Sequence, residues 1–182
     1  EEGAHKVPIA VGDIDLDGLQ DVVTRGGRFE ADGTSEIWFP MDRYGSGMDT
    51  PLLVQADADP EAEVAWVTRG EYLLLDTDGS KLASAALREW YSISAACAGD
   101  FDGDGLSEVG LYDGYVFTAI KLDGTSIWSV TVQDNHAGTG CTVFDFDLDG
   151  RMEVLYRDIT FYVFDGATGA TLYSDNARPT GS

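Results

Sequence analysis

A nine-residue acidic pattern occurs four times in this chain, beginning at Asp13, Gln55, Asp100 and Asp145, so the steps are 42, 45 and 45 residues. A unit of that size is too small to bury its own apolar surface. Only a stack of such units forms a core, so a period in this range specifies a repeat architecture. Any fold proposed for the chain has to place four equivalent acidic loops at four equivalent points.

The third and fourth repeats show what one unit contains. A short apolar run precedes the loop, Ala95–Ala98 or Thr142–Phe144, and a second run follows it, Val109–Tyr112 or Val154–Tyr156. Turns at Asp113-Gly114 or Arg157-Asp158 lead into a third run, Tyr115–Ile120 or Phe161–Phe164. A Gly/Asp turn then gives a fourth, Ser126–Val132 or Ala170–Tyr173. Short runs rich in Val, Ile, Tyr, Phe and Trp between Gly/Asp turns are strand signals. Four strands in roughly 45 residues is the size of a propeller blade. The expectation is therefore an all-β, β-propeller-type repeat of four blades with about four antiparallel strands each. The repeats span approximately 7–50, 51–92, 93–136 and 137–175, followed by a connector at 176–182. In the first repeat Glu36–Phe39 reads as the third strand and Met41–Met48 as a Gly-rich excursion. Lys81–Trp90 is the single weak helix candidate.

Each loop has the spacing of a divalent-cation cage. Positions 1, 3, 5 and 9 are Asp13, Asp15, Asp17 and Asp21 in the first copy and Gln55, Asp57, Asp59 and Glu63 in the second. They are Asp100, Asp102, Asp104 and Glu108 in the third, and Asp145, Asp147, Asp149 and Glu153 in the fourth. Alternate residues of a tight turn point inward, so these side chains converge on one point. Position 7, occupied by Leu19, Glu61, Leu106 and Arg151, offers a backbone carbonyl. Gly at position 6 (Gly18, Gly105, Gly150) lets the chain turn without a Cβ clash. Six to eight hard oxygens suit Ca²⁺ better than the tighter octahedron of Mg²⁺. The second copy has Gln55 for the first carboxylate and Pro60 for the glycine, which makes it the weakest site. An EF-hand is excluded, because its bidentate Glu at position 12 is replaced by Thr24, Trp66, Leu111 and Tyr156 and the flanks read as strand.

On these loops the chain resembles the FG-GAP/VCBS repeat family, whose Asp-x-Asp-x-Asp-Gly-x-x-Asp/Glu loops occur in integrin alpha-chain propellers and many secreted bacterial proteins. The resemblance covers essentially the whole chain and is carried by four in-phase copies. It implies one blade per repeat, calcium in the loop after the innermost strand, and an extracellular adhesive or structural role. Some relatives with these loops are polysaccharide lyases or lectins.

Charge narrows the partners. The formal net charge is −22, and 15 of the 33 acidic residues occupy positions 1, 3, 5 and 9 of the loops. Such a surface argues against nucleic acid, whose phosphates need Lys and Arg. Four calcium ions would bring the charge to −14 and relieve much of the self-repulsion. No apolar run approaches a membrane span of roughly 20 residues. The chain does not begin with Met and opens without a signal-peptide pattern, so it reads as a mature fragment or an excised segment. Millimolar calcium outside cells places such cages in an extracellular or cell-surface setting. Cys97 and Cys141 admit either one disulfide or two buried thiols. They differ by one position in register relative to their loops, which in strands points them to opposite faces and weighs against a bridge.

The catalytic inventory is thin. His5 and His136 lie in connecting segments with no nucleophile partner, and Lys121, Arg25, Arg69 and Arg157 form no visible group. Trp38, Trp66 and Trp128 sit in strand runs that favour blade-to-blade packing; with Trp90 they are also the candidates for stacking on sugars. The reading is a non-enzymatic, calcium-binding structural or adhesion module. The alternative is a carbohydrate-active propeller, a lectin or polysaccharide lyase domain with structural calcium. Joining tail to head puts the next first Asp 50 positions after Asp145. Self-association into a ring or filament, a segment of a longer array and a closed four-blade monomer all remain open, and a protein or glycan ligand is admitted.

Overall fold

The computed structural model describes residues 8–24, 27–37, 50–57, 59–68, 70–87, 96–112, 115–132, 140–157 and 159–176, with Glu36 and Ile37 described by backbone alone. Trp38, Trp90, His5, His136, Arg25, Arg69 and the Met41–Met48 excursion lie outside those residues. Sixteen strands form four antiparallel four-stranded sheets, each in simple sequential order. Blade 1 holds β1 (Ala10–Gly12), β2 (Asp21–Thr24), β3 (Gly27–Phe29) and β4 (Ser35–Ile37). Blade 2 holds β5 (Thr50–Val54), β6 (Glu63–Thr68), β7 (Glu71–Leu75) and β8 (Lys81–Ala86). Blade 3 holds β9 (Cys97–Gly99), β10 (Glu108–Tyr112), β11 (Val116–Lys121) and β12 (Ser126–Thr131). Blade 4 holds β13 (Gly140–Phe144), β14 (Glu153–Arg157), β15 (Phe161–Phe164) and β16 (Thr171–Asp175). Consecutive sheets approach one another along their first strands, β1 to β5 to β9 to β13, which makes those strands the innermost ones.

Two local readings are corrected. In repeat 1 the third strand is β3, and the run assigned to it supplies β4 instead. Gly26-Gly27-Arg28 carries no strand signal, yet Arg28 pairs with Val23 across the sheet because its charge is met by three carboxylates, described below. The weak helix at Lys81–Trp90 is a strand over its first six residues. There Ala83 and Ala85 recur with period two and pack on the core between blades 2 and 3, so small residues chosen for a face, not helix propensity, explain the alanines.

No blade has a core of its own. Val23 and Ile14 of blade 1 meet Val64, Trp66, Leu73 and Leu75 of blade 2. The other face of blade 2, through Ala65, Val67, Tyr72 and Leu74, meets Val109, Leu111 and Ile120 of blade 3. The opposite face of blade 3 packs Tyr112, Phe117, Ala119 and Trp128 on Val154, Tyr156 and Phe164 of blade 4. Phe117 sits at the centre of that last cluster, with ring centroids 4.9 Å from Tyr156 and 5.9 Å from Phe164. Trp66 and Trp128 are thus spent on packing between blades, Trp66 fully and Trp128 nearly fully buried.

Equivalent backbone points on successive blades are held by unlike donors. The Tyr72 hydroxyl donates to Leu122 O at 3.0 Å, and Trp128 Nε1 donates to Gly166 O at 2.6 Å. Leu122 and Gly166 follow the third strands of blades 3 and 4 at matching positions. Gly166 tolerates no side chain, since a Cβ there would lie 2.1 Å from Met152 O and 2.9 Å from Phe101 O.

The stacking also reverses the expectation about the cysteines, for Cys97 and Cys141 form a disulfide with Cα atoms 5.5 Å apart. Their opposite facing is what the bridge requires. They lie on the innermost strands of different blades, and the following face of blade 3 meets the preceding face of blade 4. Cys97 pairs with Gly110 on the former, whereas Cys141 pairs with Tyr156 on the latter.

The stack does not close on itself. Position 2 of the first and third acidic loops tucks under the next blade, so Ile14 and Phe101 are 1% and 0% exposed. Phe146, the same position in blade 4, is 56% exposed, and neighbouring Phe144 is 59% exposed. At the opposite end Ile9 and Val11 of blade 1 are likewise open. A closed four-blade ring would have covered both faces.

Candidate metal centres

All four acidic loops join the first and second strands of their blades, at the same end of the stack. In the first, third and fourth loops the backbone turns on two left-handed residues. Position 6 is Gly18, Gly105 or Gly150 with φ near +90° (92°, 89° and 90°), as the sequence implied. Position 4 is left-handed as well, and only blade 3 meets it with glycine, Gly103 at φ 81°. Leu16 and Leu148 adopt φ 60° and 62° in the other two, a strained choice for a side chain with a Cβ.

Backbone amides then aim the carboxylates. The position-9 acid reaches back to the amide of position 2. Asp21 Oδ2 accepts from Ile14 at 2.9 Å, Glu63 Oε2 from Ala56 at 2.5 Å, Glu108 Oε2 from Phe101 at 2.7 Å and Glu153 Oε2 from Phe146 at 2.9 Å. The position-1 acid accepts from the position-6 amide, as in Gly18 to Asp13 and Gly150 to Asp145, both at 3.1 Å, and Gly105 to Asp100 at 2.9 Å. The position-5 acid accepts from the amide of position 7, Leu19, Leu106 or Arg151. One oxygen of each anchoring acid is thereby committed to the backbone. The second oxygens of Asp13, Asp21, Asp145 and Glu63 are buried and accept no hydrogen bond, and in the first loop the buried guanidinium of Arg28, paired with Asp15 and Asp21, is a cation already present. A buried carboxylate oxygen without a partner is costly, and a cation is what would satisfy it.

The convergence fits such an ion. Four groups of carboxylate oxygens lie within 4.8 Å of one another, close to twice the Ca–O distance of about 2.4 Å. They are Asp13, Asp15 and Asp17; Asp57, Asp59 and Glu63; Asp100, Asp102 and Glu108; and Asp145, Asp147 and Glu153. Of the carboxylates anticipated from sequence, Asp21, Asp104 and Asp149 stand outside these groups. These three acids are engaged by an amide or a cation. Gln55 turns its amide nitrogen onto the carbonyls of Asp57 and Asp59, at 3.3 and 2.6 Å, and so braces the loop.

Among the described residues, Arg28 and Lys121 bring their charge against loop carboxylates, and sequence reading grouped neither with them. Arg28 is nearly fully buried, and its Nη2 lies 2.5 Å from Asp15, 2.8 Å from Glu30 and 3.2 Å from Asp21. Burial alone would lower its pKa, but the ion pairs with Asp15, Asp21 and Glu30 outweigh this and hold it above its ordinary value. The hydrogen bond from Arg28 in turn holds Asp15 below the usual carboxylate range. Lys121 approaches Asp102 at 3.2 Å and Asp104 at 3.3 Å from a partly exposed position at the end of β11. These hydrogen bonds raise its pKa, so it stays a cation and makes a poor base. Burial pushes Glu63 and Glu108 up, each against its hydrogen bond from the position-2 amide and with neighbouring acids adding to the rise. Aligning the four repeats is the signal that could have found Arg28, because blades 2, 3 and 4 carry Leu74, Ala119 and Val163 at its position in the sheet register.

A cleft of about 230 Å³ opens beside the third loop, lined by Ala56 of blade 2 and by Asp104, Leu106, Lys121 and Asp123 of blade 3. The loops are also tied to each other along the stack. Ala62 N donates to Ile14 O at 3.2 Å and Met152 N to Asp100 O at 3.0 Å, so ordering one loop restrains the next.

No protein-family model matches the chain. It is 33% identical over 141 residues to the rhamnogalacturonan endolyase YesW of Bacillus subtilis (strain 168), a match covering 64% of this chain and 23% of that protein. It is 37% identical over 86 residues to the rhamnogalacturonan exolyase YesX of the same organism, covering 37% of this chain and 14% of that one. The chain therefore spans less than a quarter of the curated relatives it matches. Among solved structures it is similar to the V. cholerae biofilm matrix protein Bap1, with a TM-score of 0.62 and 12% identity over 92% of this chain and 55% of that one. It is also similar to BBS1N, crystallised in complex with ARL6DN, with a TM-score of 0.66 and 11% identity over 91% and 55%. At that identity these two likenesses speak to the fold alone, and they agree with a propeller-type stack of sheets.

Proposed function

We propose that this chain is a calcium-held β-propeller segment of a secreted polysaccharide lyase acting on rhamnogalacturonan, with loops of the FG-GAP/VCBS type. The observation that carries the reading is the sequence likeness to two lyases named for the same polymer. The sequence-based preference for a non-enzymatic adhesion module accordingly gives way to its carbohydrate-active alternative. The disulfide between blades 3 and 4 supports an oxidising, extracellular setting.

The metal reading rests on the chain's own donors. Asp145, Asp147 and Glu153 would hold one ion, Asp100, Asp102 and Glu108 a second, and Asp57, Asp59 and Glu63 a weaker third, with carbonyls at position 7 available to complete each shell. Calcium there supplies positive charge that keeps converging carboxylates from driving their loop apart. It also addresses a problem of recognition, since a chain of net charge −22 repels a polymer that carries uronate groups. Contact with such a polymer has to run through bound cations or the few protein ones. Lys121 lines the cleft beside the third loop and is the described cation best placed to meet a carboxylate there. Held protonated, it binds and orients the acid sugar and does not abstract the proton that a lyase reaction removes.

The test is retention of the chain in affinity gels cast with rhamnogalacturonan or with an unacidic glucan, in calcium and in chelator, alongside absorbance of the unsaturated uronate product. Calcium-dependent retardation by rhamnogalacturonan alone is the expected result. Product formation would place the reacting groups within this chain. Equal mobility in every gel, without product, would overturn the saccharide reading.

A further inference from the structure

We propose that Arg28 is the built-in cation of blade 1, so that the first acidic loop is held by a guanidinium where the other loops take a divalent ion. The inference rests on the metal reading above and divides the four loops into two kinds.

Three features set the first loop apart. Its position-9 acid is Asp21, one methylene shorter than Glu63, Glu108 and Glu153, and it is the one acid of that position absent from its converging group. Asp21 is fully buried and faces Nη2 of Arg28 at 3.2 Å while accepting from Ile14 N. Arg28 itself stands where the sheet register gives blades 2, 3 and 4 an apolar residue. An arginine at a covered position between stacked sheets is very unfavourable without counter-charge. Here Asp15, Asp21 and Glu30 all come from blade 1, so the guanidinium and its carboxylates form a unit within a single repeat.

The contrast with Lys121 gives the inference its specificity. Lys121 also meets loop acids, Asp102, Asp104 and Glu108, but its side chain is 44% exposed and can swing into solvent when a divalent ion arrives. The Arg28 side chain is 4% exposed and has nowhere to go. A divalent ion sharing Asp15 Oδ2 would stand at most about 5 Å from the guanidinium, because Nη2 already lies 2.5 Å from that oxygen and a Ca–O bond adds about 2.4 Å. Fixed like charge at that range opposes loading. Blade 1 is therefore predicted to keep its loop ordered in chelator, while loops 3 and 4 loosen.

Calcium titration followed by amide NMR of the intact chain tests this site by site, because the diamagnetic ion shifts only the amides of the loop it enters. Shifts are expected at Gly105 and Gly150, with Gly18 unmoved at the same Ca²⁺ concentration. In Arg28→Met, which restores an apolar residue to the position, Gly18 should shift together with them. A shift of Gly18 equal to those of Gly105 and Gly150 in the wild-type protein would overturn the inference, and that result stands even if the variant fails to fold. Absence of a shift at all three glycines is a different signature and would reject the metal reading together with the contrast built on it.

Discussion

Replacing Cys97 and Cys141 with alanine removes a covalent staple between two sheets that are also held by an aromatic core, and the size of the effect follows from the chain length enclosed. The two cysteines are 44 residues apart. Closing a loop of that length in the unfolded chain is worth about 4 kcal/mol by the chain-entropy relation. Contacts of the folded state change little, since each substitution removes one sulfur and the Phe117–Tyr156–Phe164 cluster is left in place. For a chain of this size each kcal/mol moves the melting temperature by roughly 2–4 °C, so the variant should melt about 8–16 °C below the wild type. Urea unfolding followed by tryptophan fluorescence, in calcium, measures the difference directly. The m value should rise at the same time, because the unfolded chain without its bridge exposes more surface. A loss below about 1 kcal/mol with an unchanged m value would refute the reasoning, showing an unfolded state that is compact across blades 3 and 4 with or without the bridge. Two alkylatable thiols in the non-reduced wild-type protein would sink the pairing itself.

Four further outcomes are expected. Leu148→Gly relieves a left-handed residue at φ 62° that is 85% exposed and buries nothing, so chemical denaturation should show a gain of roughly 0.5–1 kcal/mol; a loss would mean that the leucine packs on something outside the described residues. Tyr72→Phe leaves the Leu122 carbonyl without its donor in a fully buried place and should cost about 1–2 kcal/mol by the same measurement, whereas a neutral result would show that water replaces the hydroxyl. In chelator, Glu63 and Glu108 have folded pKa values above the ordinary glutamate value, so the folded state binds more protons and stability falls as pH rises between the two values. The depressed Asp15 and Asp104 act in the opposite sense and lose their contribution on acidification, so the metal-free protein should be most stable between the depressed aspartate and the raised glutamate titrations; melting temperatures in chelator that climb steadily from acid to weakly alkaline pH would contradict this. Light scattering should find self-association of this chain through its open end faces, reduced by Phe146→Glu, and a monomer at every concentration would remove those faces as a docking surface.

The period, the strand pattern and the loop chemistry were open to sequence reading for one reason. All of them are local, so the residues that make them are neighbours in the chain and recur in phase. Asp145, Asp147 and Glu153 converge because alternate residues of one turn point the same way, and no distant element has to be known. The strands of blades 3 and 4 fell where their apolar runs ended in Gly/Asp turns. What depends on one repeat meeting another stayed hidden. Whether Cys97 and Cys141 could bond turned on which face of blade 3 meets which face of blade 4, a fact of stacking that parity along a strand does not contain. Trp66 and Trp128 read as packing residues with sugar stacking as the alternative, and the neighbouring sheets that cover them decide for packing. Arg28 entered no sequence reading, because its counter-charges Asp15 and Asp21 lie across a sheet pairing that the glycines before it conceal. The sequence alone determined what each repeat is, since hydrogen-bonded turns and amphipathic strands act over a few residues. The tertiary structure alone decided how the repeats differ, because burial and ion pairing act between surfaces that meet only when the blades stack.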